Sequence, residues 1–177
     1  MKILINGIFS LFFLLGAISN VYSQGVMVGY DNDVVDIAVS SEDHSTLVAA
    51  VKAAGLVEVL KGEGPFTIFA PTNTAFAKLP QGTVSTLLQP ENKEVLTGIL
   101  TYHVVAGKLD AANVLKAIND NNGSIEVKTI NGAKFTAKLW EGNVVLKDGQ
   151  GNKATVIATD LMGTNGIIHV IDAVILP

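Results

Sequence analysis

The chain has 177 residues, 12 basic and 16 acidic side chains, a formal net charge of −4, 49% hydrophobic residues and no cysteine. That length suits one domain with a core that needs no staples, and the missing cysteines exclude a disulfide scaffold, a thiolate nucleophile, a thiolate zinc site and an iron–sulfur cluster. All 12 basic residues are lysines, and a mildly acidic chain without the planar arginine fork is a poor nucleic-acid binder.

Residues 1–23 read as an export address. Lys2 supplies a short positive start, residues 8–18 form an apolar run, and Val21-Tyr22-Ser23 offers a cleavage site before Gln24. The run is shorter than the roughly 20 residues a membrane span needs, so cleavage with no lasting membrane insertion is the expectation. Residues 24–32 then form a lead-in, and residues 33–177 a single domain. Export without disulfides points towards a bacterial source.

The first half of the domain carries helical periodicity. Asp36 is expected to cap a short turn through Ile37-Ala38-Val39. Leu47, Val48, Val51 and Ala54 follow a core-facing stripe that ends at Gly55, and residues 56–61 form another short helix stopped by Gly62 and Gly64. Residues 65–71, apolar and fenced by prolines, fit a buried strand. Thr72 or Asn73 caps a helix bearing Ala75, Phe76 and Leu79. Residues 91–101 predict a helix with Val95, Leu96, Ile99 and Leu100 on one face, and Asp110 caps residues 111–118.

After Gly123 the period becomes two. Ile125-Glu126-Val127-Lys128 reads as a strand, and Asn131-Gly132 predicts a two-residue hairpin turn into Ala133-Lys134-Phe135-Thr136. Turns at Glu141-Gly142 and Asp148-Gly149 separate two further strands, and residues 167–176 form the last. Helices first and strands afterwards argue for an α+β class.

Motifs that carry chemistry are missing from this sequence. His44, His103 and His169 lie far apart, outside the spacing that sets two metal ligands on one helical face. Asp31-Asn32-Asp33 and the turn starting at Asp148 do not continue into a calcium-loop register and read as solvated turns. Nucleophile-elbow and phosphate-loop patterns are absent, and Asn122-Gly123-Ser124, formally a glycosylation acceptor, reads as a turn. His103 continues the apolar stripe of its helix, and Asp172 shares a strand face with Ile168, Val170, Val174 and Leu176. Both are therefore expected to be buried and bonded within the fold, as is His169 on the opposite face. His169 and Asp172, on alternate faces, cannot form a dyad. No catalytic residue, metal site or cofactor is expected.

Two longer blocks and a dipeptide add a resemblance. Residues 67–76, TIFAPTNTAF, residues 165–177, NGIIHVIDAVILP, and Tyr102-His103 resemble the signature segments of the fasciclin-like domain, in the same order. The chain is most similar to the small secreted single-domain bacterial members. The resemblance implies a helical layer packed on a wedge of two β-sheets, and a non-catalytic, extracellular or surface-attached adhesion module. Its partner would be an extracellular protein, glycan or matrix component; oligomeric state stays open. In animal relatives the tyrosine–histidine motif and an aspartate–aliphatic pair are implicated in integrin recognition. The matching positions are Tyr102, His103, Asp160 and Leu161, with leucine in place of the usual isoleucine, while an aromatic and a histidine beside an apolar stripe also read as core. The second functional expectation, also drawn from the family, is an extracellular carrier of an apolar small molecule such as a carotenoid or lipid.

Overall fold

Local capping signals set where the chain turns into helix. The computed structural model describes residues 32–177; the expected signal peptide and nearly all of the lead-in lie outside the described residues. Asp33 caps α1 (Val34–Ser40): its carboxylate accepts from the amides of Val35 and Asp36 at 2.8 and 2.9 Å, and Asp36 reaches back to the Asp33 amide at 3.3 Å. This is a capping box. Asp36 thus stands inside the first turn and not at the cap expected for it. The helix begins earlier because Val34 and Val35 belong to the core.

Next come α2 (Ser45–Ala54), closed by Gly55 in the left-handed region, α3 (Val57–Leu60), β1 (Phe66–Pro71) and α4 (Asn73–Ala77), which Thr72 caps. A short helix that the sequence reading passed over, α5 (Thr83–Leu87), precedes α6 (Lys93–Tyr102). In α6 Leu96 and Leu100 are buried, but Val95 is 56% exposed, since one residue of helix turns it away from that stripe. β2 (Val104–Ala106) follows, then α7 (Ala111–Asp120), where the Asp110 carboxylate caps the Asn113 amide at 2.7 Å. The remainder is strand: β3 (Ser124–Lys128), β4 (Lys134–Trp140), β5 (Asn143–Lys147), β6 (Lys153–Gly163) and β7 (Gly166–Ile171).

The β3–β4 connection departs from the expected two-residue turn. The Gly132 amide bonds the Thr129 carbonyl, and the Thr129 amide bonds the Ala133 carbonyl. This is a three-residue loop with Gly132 at positive φ.

Seven strands form the order β2-β1-β7-β6-β5-β4-β3. The α+β class holds, but strands are not confined to the second half: β1 leaves the helical region to lie parallel to β7, from Phe66 opposite Gly166 to Pro71 opposite Ile171. Their almost unbroken burial suits a parallel pair covered on both faces. β6 turns the sheet into a wedge. Its first residues pair with β5, its later ones with β7, and two register shifts lie between Val156 and Leu161. Bulges of this kind bend a strand.

Two cores follow. On one side of β1 and β7, Ile68, Ala70 and Ile168 pack against Leu47, Val51, Leu96 and Leu100 of the helical layer. On the other, Phe69, Val105 and Ile171 face Val127, Phe135, Ala137 and Leu146 across the wedge, with Val114 and Ile118 of α7 between the limbs. Burial on both sides makes β1 and β7 the middle layer of the molecule.

Candidate functional site

The motif residues meet around the two ends of β2. Tyr102 ends α6 and is 1% exposed; its hydroxyl donates to the Lys134 carbonyl at 2.9 Å, and its ring stands edge-on to Phe135 at 6.1 Å. Burial pushes its phenol up from the ordinary value. His103, 2% exposed, donates from Nδ1 to the Ile99 carbonyl at 2.8 Å and accepts at Nε2 from the Ile175 amide at 3.2 Å. Both ring nitrogens are used by backbone, which fixes one neutral tautomer. A second proton would point at an amide N–H, and burial holds the imidazole down to about 4.

His169 is placed in the same way. Its Nε2 donates to the Leu109 carbonyl at 2.7 Å, the Asp160 amide lies 3.4 Å from its Nδ1, and its ring lies 5.5 Å from Phe69. Asp160 stands in the bulged part of β6 at φ 59°, and its carboxylate accepts from the Ala111 amide at 2.9 Å, the first turn of α7. Thr67, fully buried in β1, completes this support: its hydroxyl donates to the Gly107 carbonyl and accepts from the Leu109 amide. Thr67, Asp160 and His169, from three strands, therefore fasten one loop, residues 107–111, that launches α7.

Of the four positions implicated in relatives, Tyr102 and His103 point into the core and Asp160 is turned to a helix end. Leu161 is 38% exposed. His169 and Asp172 do not meet. Asp172 follows the end of β7, so it leaves the strand face and the burial expected for it; its side chain is 37% exposed. One carboxylate oxygen takes the Thr155 amide at 2.7 Å, the other Lys78 at 3.3 Å. Asp36, with Asp33, holds Lys61 at 2.7 and 2.8 Å.

Asp148 differs from its sequence reading. It is 4% exposed, not a solvated turn residue, and its carboxylate accepts from the amides of Gln150, Asn152 and Leu176 and from the Asn152 side chain, all at 2.8–3.0 Å. The link to Leu176, 28 residues away, is what buries it, and no local pattern signals such a link. Asn165 is a second missed anchor. Its side chain donates to the carbonyls of Leu60 and Gly62 and accepts from the Val34 amide. His44 is buried too, with Nδ1 bonded to the Ser41 hydroxyl and Nε2 without a partner; burial lowers its imidazole from the ordinary value.

Among the described residues no three His, Asp or Glu side chains gather to hold a metal. An apolar cavity of about 200 Å³ lies in the helical layer, bounded by Val35, Leu47, Val51, Leu60, Ile68 and Val104.

The architecture and the motif positions can now be set beside known proteins. The sequence profile of the fasciclin domain matches residues 42–177. The chain belongs to the fasciclin domain family. It is 55% identical over 144 residues to protein sll1483 of Synechocystis, covering 81% of this chain and 73% of that protein. It is 30% identical over 167 residues to the cell surface glycolipoprotein MPB83 of Mycobacterium bovis, covering 91% of this chain and 68% of that protein. In fold it resembles a FAS1 domain pair from the insect cell adhesion molecule fasciclin I, with a TM-score of 0.72 and 22% identity, over 82% of this chain and 51% of that one. This fasciclin domain therefore uses Tyr102, His103 and His169 as fold-internal groups. No described helix is long and apolar enough to cross a membrane.

Proposed function

We propose that the chain is exported through residues 1–23 and that residues 24–177 act as a secreted or cell-surface fasciclin interaction module. It would work in adhesion by holding an extracellular protein, glycan or matrix component without catalysis. The observation that carries this reading is family membership combined with the locked histidines. A general base needs a free lone pair within reach of substrate, whereas the lone pair of His103 Nε2 accepts from the Ile175 amide and that of His169 Nδ1 faces the Asp160 amide. The names of two similar proteins, a cell surface glycolipoprotein and a cell adhesion molecule, support the extracellular setting. The test is capture of surface and medium components of the producing cell by folded residues 24–177, alongside attachment assays of a deletion strain. A reproducible surface ligand together with reduced attachment is expected. Unchanged attachment and an empty capture would overturn the reading.

The cavity favours a second reading, a carrier of an apolar small molecule. At about 200 Å³ it lies below the roughly 300–1,000 Å³ of pockets that enclose drug-sized ligands, so it would take a small apolar molecule or one end of a longer one. A carotenoid would protrude. Native mass spectrometry of protein purified from its own source should reveal an adduct that organic extraction releases; an adduct-free spectrum before and after incubation with lipid would rule the carrier out.

A further inference from the structure

The outer face of the wedge carries an arrangement that the fold does not need. In β3, β4 and β5 the wedge core takes Val127, Phe135, Ala137 and Leu146, and the alternate positions, polar except for Val145 and Trp140, face away from it. The ladder brings Lys128 directly opposite Lys134 and Lys147 directly opposite Lys153, and places Lys138 on the same face of β4, opposite Ser124 and Val145. Five of the chain's 12 lysines thus share one sheet face of a protein with net charge −4. At the paired positions of this face the sole acidic side chain is Glu126, which takes Lys134 at 2.7 Å. Lys128, Lys138, Lys147 and Lys153 have no ion pair among the described residues.

Like charges placed directly opposite one another destabilise a sheet; Glu126 offsets this for Lys128 and Lys134, but the Lys147–Lys153 pair has a cost that packing does not explain. Trp140 lies on the same face at the end of β4, 56% exposed, with the ammonium groups of Lys138 and Lys153 at 4.9 and 5.8 Å from its ring centroid. An exposed indole with two cations beside it offers a stacking plane for a sugar ring and positive charge for that ring's carboxylate or sulfate.

We propose that this face binds an anionic polysaccharide, with Trp140 as the stacking platform and Lys128, Lys138, Lys147 and Lys153 meeting the negative groups. The proposal rests on the extracellular interaction reading above and names its partner class. Charge complementarity selects a polyanion. Lysine-only chemistry disfavours phosphate backbones, for which the arginine fork is the better match. One exposed aromatic and the buried Val145 among lysines and threonines also fall short of the broad apolar face by which helices settle into bilayers.

The test uses residues 24–177 on immobilised polygalacturonate, with dextran as the neutral control and phosphatidylglycerol vesicles and single-stranded DNA as competing polyanions. Retention that falls as salt rises is expected, since exposed charges are screened. K147E/K153E should weaken binding on the order of tenfold while keeping the fold. W140A should weaken it several-fold with the salt dependence unchanged, and K108E/K116E, the same charge change elsewhere, should leave it unaltered. K147E, which replaces a repulsive pair by an attractive one, should raise the melting temperature by about 1–3 °C, so lost binding is not read as lost folding. No retention at low salt, equal losses in K108E/K116E, or preference for vesicles or DNA over polygalacturonate would overturn the proposal. If polygalacturonate fails while the capture experiment still yields a surface ligand, this inference falls and the adhesion reading stands; if both fail, both fall.

Discussion

Polar groups are handled in opposite ways in the interior of the protein and on the outer face of the wedge. Inside, the Tyr102 hydroxyl, both nitrogens of His103 and the Asp148 carboxylate all find partners, mostly backbone, as buried polar atoms must. Outside, four lysines stand without ion pairs among the described residues, two of them facing each other across β5 and β6. Interior polarity here serves the fold, whereas most of the outer charge has no counter-charge among the described residues. The contrast also separates two kinds of motif residue. Those that mark the family in the sequence hold loops and helix ends, while the exposed chemistry lies on strands that no signature block covers.

The contrast breaks most severely at Tyr102. Tyr102→Ala should remove about 4 kcal/mol of stability through an unfilled space beside Phe135, measurable by urea unfolding. Tyr102→Phe should cost only about 1 kcal/mol, the hydrogen bond alone. Asp148→Ala should cost about 3 kcal/mol, because the amides of Gln150, Asn152 and Leu176 lose their acceptor while staying buried or partly so.

A pH series sharpens the same point. His103 titrates at about 4 in the folded protein against 6.5 as its ordinary value. The unfolded chain therefore binds the extra proton first, so this contribution is complete above pH 6.5 and is lost as pH falls towards 4. The loss is about 3 kcal/mol in all. His44, lowered chiefly by burial, adds in the same direction. Unfolding titrations of wild type and His103→Gln should diverge in slope across that window; parallel slopes would contradict the fixed neutral tautomer. Asp160→Ala should cost about 1 kcal/mol, as loss of a helix-end acceptor does, with exchange of the Ala111 amide speeding up. The smallest effect has the opposite sign. Lys147→Thr on the outer face should stabilise by about 0.2–1 kcal/mol by removing a like-charge pair, which calorimetry would register.

Much of the fold was legible because its signals are local. Gly55 ends α2, Thr72 and Asp110 cap α4 and α7, and alternation after Gly123 marks β3 to β6. The errors share one cause. Asp36, Val95, Asp148 and Asp172 were each judged from near neighbours, yet their surroundings come from Lys61, solvent, Leu176 and Thr155 respectively. The burial of His103 and His169 followed from periodicity. Their partners, Ile175 and Leu109, lie 72 and 60 residues away and followed from nothing local.

Composition, caps, turn residues and hydrophobic period were enough to determine an α+β domain without thiol chemistry, its helix ends and the positions facing its core, because each depends on a few residues along the chain. Tertiary structure alone decided that β1 joins β7 in parallel, that three strands fasten residues 107–111, and that lysines spread from 128 to 153 share one surface. Those outcomes depend on strand order and register, and a shift of a single residue in register would have turned every one of those lysines to the other face.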